Sequence, residues 1–256
     1  MLSKPTREQQ ETIASLLEAT GRRKREVPLR RDLVQQGTQR APQPGPLREM
    51  VRRHDERALD IYLLLRAAAS SEPWDVTRHA RVWGRAIGLA TDSDGGTAAV
   101  SKAWVRLDST YHLVRRERRG RLAKITALHE AGTGAPYTYP EKDYFKLPFA
   151  YWTTDDAWYH ILSFPAKATL LIALSLRSPF VLPAERAPEW YGMSADTLDR
   201  GQRELRQARL LTRTFTVTEN WLSPTGKTTQ YSFSLNAPFA RPRRITGRGH
   251  LKVVGQ

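Results

Sequence analysis

The sequence predicts an α+β fold, mostly helical, in which three helices followed by a β-hairpin occur twice within 256 residues. Apolar residues recur at helical spacing in three segments of each half, and two alternating segments follow them in each half. Sliding one half over the other by 98 residues also superimposes apolar positions. The slide matches Val100 with Leu198, Leu107 with Leu205, and Leu113 with Leu211.

The first 46 residues are predicted to be an N-terminal region that precedes the repeats. Thr6 and Gln9 form a capping-box pattern, which predicts a helix ending near Ala19. The apolar stripe of this helix is thin and consists of Ile13, Leu16 and Leu17. The basic run 22–25 fits either a solvated flank or an arm for an anionic partner. Residues 37–46 have the composition of a linker.

The first repeat is predicted over residues 47–130. Segments 57–70 and 76–90 predict two helices, and a polar turn at 91–96 separates them from a third at 97–110. One face of the second helix carries Val82, Ala86 and Leu89. The third helix has an inward stripe of Val100, Ala103, Trp104 and Leu107. Two alternating strands then surround Arg119 and Gly120, which predicts a hairpin.

The second repeat is predicted over residues 157–238, after an aromatic-rich connection at 131–156. Ser163 is positioned to cap a helix over 163–176, a short helix follows within 183–193, and a third covers 194–211. The third helix turns Leu198, Leu205 and Ala208 inward. Segments 212–222 and 228–236 alternate as strands around the turn SPTGK. Residues 239–256 are predicted to be a basic tail, with five basic residues and no acid between Ala240 and Lys252.

Composition favours a polyanionic partner. The formal net charge is +15 and the pI is about 10.4, which suits nucleic acid or an anionic membrane surface. Most of the 41 basic residues are arginines, which suit phosphate and guanine edges, although a GC-rich genome also enriches arginine. The longest apolar run, 168–176, is too short to span a bilayer, and the N-terminus lacks the pattern of a signal peptide. We therefore expect a cytoplasmic protein.

Enzymatic chemistry has little support in the sequence. The absence of cysteine excludes disulfides, thiol catalysis and cysteine metal sites. No P-loop, nucleophile-elbow or zinc-protease motif occurs, and the six histidines lack metal-ligand spacing. Asp155 and Asp156 fit helix capping, and Tyr144, Tyr151 and Tyr159 fit core packing better than nucleophilic chemistry. We expect no catalytic residues, cofactor or metal.

The stretch Trp190 to Arg213, WYGMSADTLDRGQRELRQARLLTR, resembles the helix-turn-helix of bacterial winged-helix DNA-binding proteins. The likeness continues through the hairpin to about Leu235. The first repeat is similar in order, but its turn is longer and Trp104 replaces the usual small or aliphatic residue. The resemblance implies two tandem winged helix-turn-helix domains. At the level of fold alone, such a basic tandem chain is similar to iteron-binding plasmid replication initiators.

The resemblance and the helical spacing together predict DNA-contacting residues in the second repeat. Arg200, Arg203 and Gln207 fall on one helix face, where arginine can pair with guanine and glutamine with adenine. The alternative is a solvated face with ion pairs to acidic neighbours. Ser194 and Thr197 begin the helix, where a hydroxyl caps it and free N–H groups can hold a phosphate.

Further candidates lie in the first repeat and in the two hairpin tips, the wings. The helix 97–110 is expected to turn Ser101, Lys102, Arg106 and Ser109 outward. The first wing offers Arg115, Arg116, Arg118, Arg119 and Arg121, and the second offers Lys227. Strand alternation places only about half of the wing arginines on either face, and Glu117 offsets one charge.

The leading hypothesis is sequence-specific binding of double-stranded DNA, by a monomer or a homodimer. Within it, the sequence leaves open a replication initiator of a plasmid or mobile element and a transcriptional regulator, each associated with the nucleoid or a plasmid. A second hypothesis is a protein-interaction module whose basic surface binds nucleic acid nonspecifically. A third is a single-strand or RNA binder that uses the aromatics of residues 137–152.

Overall fold

A computed structural model of the chain describes residues 4–38, 40–89, 94–120, 122–219 and 226–240. The fold is α+β, as the sequence predicts, with many helices and small antiparallel sheets. The N-terminal region contains α1 (Arg7–Glu18), β1 (Glu26–Arg30), β2 (Gln35–Gly37) and β3 (Pro42–Pro44), and a short helix, α2 (Leu47–Arg52), follows it. A short 3-10 turn, Arg31–Leu33, follows β1.

Helix α1 has the predicted Thr6 cap and apolar stripe, but the Gln9 side chain bonds to Ala86 instead of completing a capping box. The Thr6 hydroxyl accepts a hydrogen bond from the Gln9 backbone N–H at 3.2 Å, and the helix ends one residue before Ala19. The predicted apolar stripe is buried. The buried Gln9 side chain donates to the Ala86 carbonyl at 3.2 Å, so α1 is fixed against the body of the protein.

The first repeat consists of α3 (Glu56–Ala68), β4 (Asp75–Arg78), α4 (Ala80–Ala86), α5 (Asp94–Ser109), β5 (Val114–Arg119) and β6 (Leu122–Ala127). These strands form one antiparallel sheet in the order β4-β6-β5. The helix predicted over 76–90 is wrong in its first part, because Val76 pairs with Ile125 in the sheet and the helix begins only at Ala80. The strand partner lies far along the chain, so local periodicity misses it.

The connection contains β7 (Tyr144–Pro148), α6 (Ala150–Thr153) and α7 (Trp158–Ile161). Strand β7 pairs antiparallel with β1, with Val27 opposite Leu147. The segment with linker composition also holds an antiparallel pair, β2 with β3, in which Gly37 lies opposite Pro42. The N-terminal region and the connection are therefore joined by a sheet.

The second repeat consists of α8 (Phe164–Ser175), α9 (Ala187–Tyr191), α10 (Ala195–Gln207), β8 (Leu211–Glu219) and β9 (Lys227–Leu235). Strands β8 and β9 form a long antiparallel hairpin. Phe180 and Phe233 exchange backbone hydrogen bonds of 2.9 and 2.7 Å, an isolated bridge that takes the place of the β4–β6 pairing. Both repeats thus share one order and one strand arrangement.

The predicted superposition holds in the helices and shifts by one residue in the hairpins. Val100, Leu107, Leu198 and Leu205 are all fully buried. After the helices, the Leu113 N–H donates to Leu107 and the Leu210 N–H donates to Leu205, each at 2.9 Å. Leu113 therefore corresponds to Leu210 rather than to Leu211, because the turn after α10 is one residue shorter.

One apolar core runs through both repeats, and a buried charge cluster joins their first helices. Lys167 on α8 is 3% exposed, and its ammonium lies 2.8 Å from Asp60 and 2.7 Å from Glu56, both on α3. Burial raises the pKa of Asp60 to about 6. Since a lone buried charge is costly, this pairing fixes how α3 and α8 pack together.

Candidate nucleic-acid interface

The outer face of α10 carries the three predicted side chains together. Arg200, Arg203 and Gln207 are exposed, opposite the buried Leu198 and Leu205. Both arginines also take part in surface ion pairs: Arg203 lies 2.5 Å from Asp199, and Arg200 lies 3.9 Å from Asp196. Exposed pairs of this kind contribute little stability, so a phosphate or a base edge can replace the carboxylates.

The N-terminus of α10 is capped as predicted. The Ser194 hydroxyl accepts from the Thr197 N–H at 3.1 Å and lies 2.7 Å from the Thr197 hydroxyl. The preceding turn passes through Gly192 at φ +65°, a conformation that favours glycine. A Cβ at Gly192 would lie 2.3 Å from Cγ of Arg48, so the Arg48 stem covers this turn. The sequence carries no signal for this contact, because α2 and the turn at Gly192 lie far apart along the chain.

Positions equivalent to the α10 face are less basic on α5. Lys102, Val105 and Ser109 are exposed where the second repeat has Arg200, Arg203 and Gln207. Ser109 donates to the Val105 carbonyl at 2.7 Å, which occupies its hydroxyl hydrogen. Val105 is 46% exposed and offers no hydrogen bond. Of the three, only Lys102 supplies a cation.

Arg106, predicted to face outward, is only partly exposed, and its guanidinium is engaged in an ion pair. Its Nε and Nη2 atoms lie 2.5 and 2.7 Å from the carboxylate of Asp55, which caps α3 and also accepts from the Tyr111 hydroxyl at 2.8 Å. Burial raises the pKa of Asp55, but the hydrogen bonds from Arg106 and Tyr111 outweigh it and hold the pKa below its ordinary value of 3.8. Arg106 therefore positions α3, and we leave it out of the interface.

The equivalent contact in the second repeat is made by a side chain of opposite charge. Glu204, 98 residues after Arg106, accepts from the backbone N–H of Ser163 at 2.7 Å and also from its hydroxyl. Ser163 caps α8, as predicted. In both repeats the third helix is thus tied to the cap of the first helix, by an arginine in one and by a glutamate in the other.

The first wing divides its arginines between two faces. Arg116 and Arg118 lie opposite Ile125 and Ala123 on the face toward α5, whereas Arg115 and Arg119 lie on the other face. Arg116 donates to the Ser101 hydroxyl at 2.9 Å. A cleft of about 800 Å³ separates α5 from the hairpin and is lined by both Arg116 and Arg118. The predicted Arg121 lies outside the described residues.

Charges around this wing leave it basic. Glu117 lies 3.8 Å from Lys124, which also lies 3.0 Å from Asp75, so these three groups leave one negative charge against the arginines of the wing. Asp108, in the cleft, accepts from the Arg116 backbone N–H at 3.3 Å. Arg115, Arg118 and Arg119 are exposed, and the arginine side chains there have no ion pair among the described residues. They form an exposed basic surface on this wing.

The basic run near the N-terminus is partly structural. Arg22 donates to the carbonyls of Arg66, Ala67 and Ala69 at 3.0 to 3.2 Å, at the end of α3. Burial lowers the pKa of Arg22, but it pairs with the carbonyls that a helix leaves unsatisfied. Arg23 and Lys24 are exposed beside it.

The aromatic segment 137–152 is mostly interior. Tyr137, Phe145, Phe149, Tyr151 and Trp152 are buried, whereas Tyr139 is 54% exposed. Tyr137 packs under the guanidinium of the fully buried Arg66, 3.7 Å from its ring centre. Burial raises the pKa of Tyr151 and of Tyr159, which is opposite to what activates a tyrosine nucleophile. Few aromatic rings of this segment are therefore exposed and able to stack on the bases of a single strand.

Two predicted basic elements, the second wing and the tail, lie only partly within the described residues. Lys227 is exposed at the start of β9, but residues 220–225 of the second wing, including Trp221, lie outside the described part. The predicted tail also falls outside it beyond Ala240. Among the described residues no helix is long and apolar enough to cross a membrane, and no three acidic or histidine side chains gather as metal ligands.

Comparison with protein-family models, with curated proteins and with solved structures found no match to this chain.

Proposed function

We propose that this chain binds double-stranded DNA in a sequence-specific way through two tandem winged helix-turn-helix units. The observation that carries the proposal is the outer face of α10. It presents Arg200, Arg203 and Gln207 together, one turn apart, behind a serine-capped N-terminus. A helix that hides one face in the core and turns such a row outward suits the major groove.

The shared topology supports the same proposal. Each repeat has three helices followed by a hairpin. In each, the segment between the first two helices pairs with the second strand of that hairpin. This is the order of the winged helix-turn-helix. The basic first wing and the net charge of +15 supply the sequence-independent attraction that duplex DNA requires.

Selection from a random duplex library by the purified chain, at about 0.15 M salt, tests the proposal, since nonspecific phosphate binding is weakened there. We expect one recovered motif. Its layout then separates the two biological roles: a direct repeat read by one chain fits a replication initiator, and an inverted repeat read by a dimer fits a transcriptional regulator. Binding that vanishes as salt rises, with no motif, would contradict sequence specificity and favour an acidic protein partner.

A further inference from the structure

The second wing has one polar and one apolar face. In β8 and β9 the side chains of Thr212, Thr214, Thr216, Gln230, Ser232 and Ser234 share one face. The opposite face begins with the buried Leu211 and Phe233, next to α10. Farther from the body it continues with Arg213, Phe215, Val217 and Tyr231.

The outer half of that apolar face is exposed. Phe215 is 66%, Val217 48% and Tyr231 45% exposed. They are three of the seven large apolar side chains that are exposed in the described part of the chain, so their clustering on one hairpin face is unusual. No described element covers them, and we name them together with Arg213 the wing stripe.

The wing stripe is arranged as a rigid group. Phe215 and Tyr231 lie opposite each other across the two strands, edge to face, with ring centres 6.4 Å apart. The Arg213 guanidinium lies over the Tyr231 ring at 4.6 Å. Aromatic side chains on a hairpin lose little conformational freedom on contact, because their neighbours already restrict them.

The equivalent face of the first wing carries different side chains. Allowing for the one-residue shift, Arg213 corresponds to Arg116 and Phe215 corresponds to Arg118. The first wing therefore places two cations beside its helix, and the second places one cation and two rings. A phosphate contact explains the first pattern but gives no role to exposed rings.

We propose that the wing stripe is a wedge that enters the DNA minor groove beside the α10 site and separates a base step. The inference rests on the proposed function. Apolar and aromatic side chains inserted in this way unstack the bases and kink the duplex, while a neighbouring arginine holds the groove or a phosphate. The stripe lies on the hairpin face whose inner end, at Leu211, is buried next to α10. The strong positive charge of the chain opposes a second copy as the occupant and favours a polyanion.

The experiment uses the full chain and the duplex recovered by selection, with 2-aminopurine placed at successive base steps and dyes at the two ends. On binding, we expect 2-aminopurine fluorescence to rise at one step and the end-to-end dye distance to report a bend of roughly 20–90°. The variant Phe215→Ala with Tyr231→Ala should lose both signals. Phe215→Leu, which keeps an apolar side chain, should keep part of each.

The matched control is Thr216→Ala with Gln230→Ala, a cross-strand pair on the polar face of the same hairpin. We expect this control to keep both signals. The salt dependence of affinity should be the same for the wild type and the aromatic variant, because no cation is removed. All four proteins are compared by circular dichroism and thermal unfolding, and their melting curves should agree because the altered side chains are exposed.

The possible outcomes separate this inference from the proposed function. If the wild type binds its motif but no base step unstacks, or if the aromatic variant behaves like the control, the wedge is wrong and the DNA function stands. If the aromatic variant instead abolishes a concentration-dependent dimer in sedimentation velocity, the stripe joins two copies. If the library yields no motif and no duplex is bound, both proposals fail.

Discussion

The two repeats share one topology but distribute their chemistry in opposite ways. The first has a helix face of Lys102, Val105 and Ser109 and an arginine-rich wing, whereas the second has a face of Arg200, Arg203 and Gln207 and a wing with one polar and one apolar face. Arginine and glutamine on a helix can discriminate bases, and arginines on a wing mainly neutralise phosphates. Under the proposed function, base recognition would therefore lie mainly in the second repeat and electrostatic attraction mainly in the first.

The largest expected effect comes from breaking the helix face of the second repeat. Arg200→Ala with Arg203→Ala removes two side chains capable of bidentate contacts worth about 1–3 kcal/mol each, so affinity for the selected duplex should fall by roughly 30-fold or more. Affinity for random duplex should fall far less. Fluorescence anisotropy on both duplexes measures this.

The matched control is Arg7→Ala with Arg186→Ala, which removes two exposed, ion-paired arginines from other helices. We expect little change with it on the selected duplex. If the α10 variant lost the same affinity for the selected duplex as for random duplex, α10 would contribute only charge.

The next largest effect is expected on stability, when the contact between the third helix and the cap of the first helix is removed. Arg106→Ala leaves the carboxylate of Asp55 without its cation and should lower the free energy of unfolding by about 2 kcal/mol, a value reduced for the partial exposure of Arg106. The pKa of Asp55 is depressed in the folded state, so this stabilisation is present above 3.8 and is lost as the pH falls below that value. Urea unfolding at pH 7 and near pH 3 measures it.

Glu204→Gln is the counterpart in the second repeat. It keeps one acceptor for Ser163 and should cost less, about 1 kcal/mol at pH 7. If Arg106→Ala leaves stability unchanged at pH 7 but weakens DNA binding, Arg106 belongs to the interface after all.

The first wing is expected to affect affinity without specificity. Changing Arg115, Arg118 and Arg119 to alanine should reduce the slope of log affinity against log salt by about 0.9 for each phosphate that the wing no longer neutralises. Selected and random duplexes should show the same decrease in affinity. The same three positions changed to lysine keep the charge and serve as the control, with a nearly unchanged slope. A decrease confined to the selected duplex would mean that this wing reads sequence.

The smallest effect is expected from adding a positive charge to α5, the less basic of the two third helices. Val105→Arg places an arginine at the position equivalent to Arg203, and neutralising one more phosphate should raise the salt slope by about 0.9 with a modest increase in affinity. Tyr139→Arg, on an exposed ring of the connection, is the control with the same added charge. Identical behaviour of the two variants would indicate that α5 does not face DNA.

Local signals explain why much of the fold was predictable. The caps at Thr6, Ser163 and Ser194 each involve a side chain and an N–H three residues later, so a short window contains the whole interaction. The stripes of α5 and α10 are equally local. The exposed row on α10 was predictable for the same reason, because the positions of its buried leucines determine its outer face.

Features that depend on distant partners were missed. Strand β4 forms because β6 pairs with it, and Pro42–Pro44 forms a strand against Gln35–Gly37 although the composition of this segment suggests a linker. Arg22 caps the end of α3 and Arg48 covers the turn at Gly192, contacts that no local pattern indicates. The basic run and α2 therefore have structural roles that composition did not suggest.

Sequence alone was enough to predict most of the longer helices, the caps at Thr6, Ser163 and Ser194, the repeated order and the positive charge, because spacing and local hydrogen bonds specify them. The tertiary structure decided which charged side chains remain available to a partner. Arg106 and Arg22 are held by groups at the two ends of α3, whereas Arg200, Arg203 and three first-wing arginines, Arg115, Arg118 and Arg119, are exposed. The physical reason is that a charge is neutralised by what lies next to it in space, and chain spacing does not encode that neighbour.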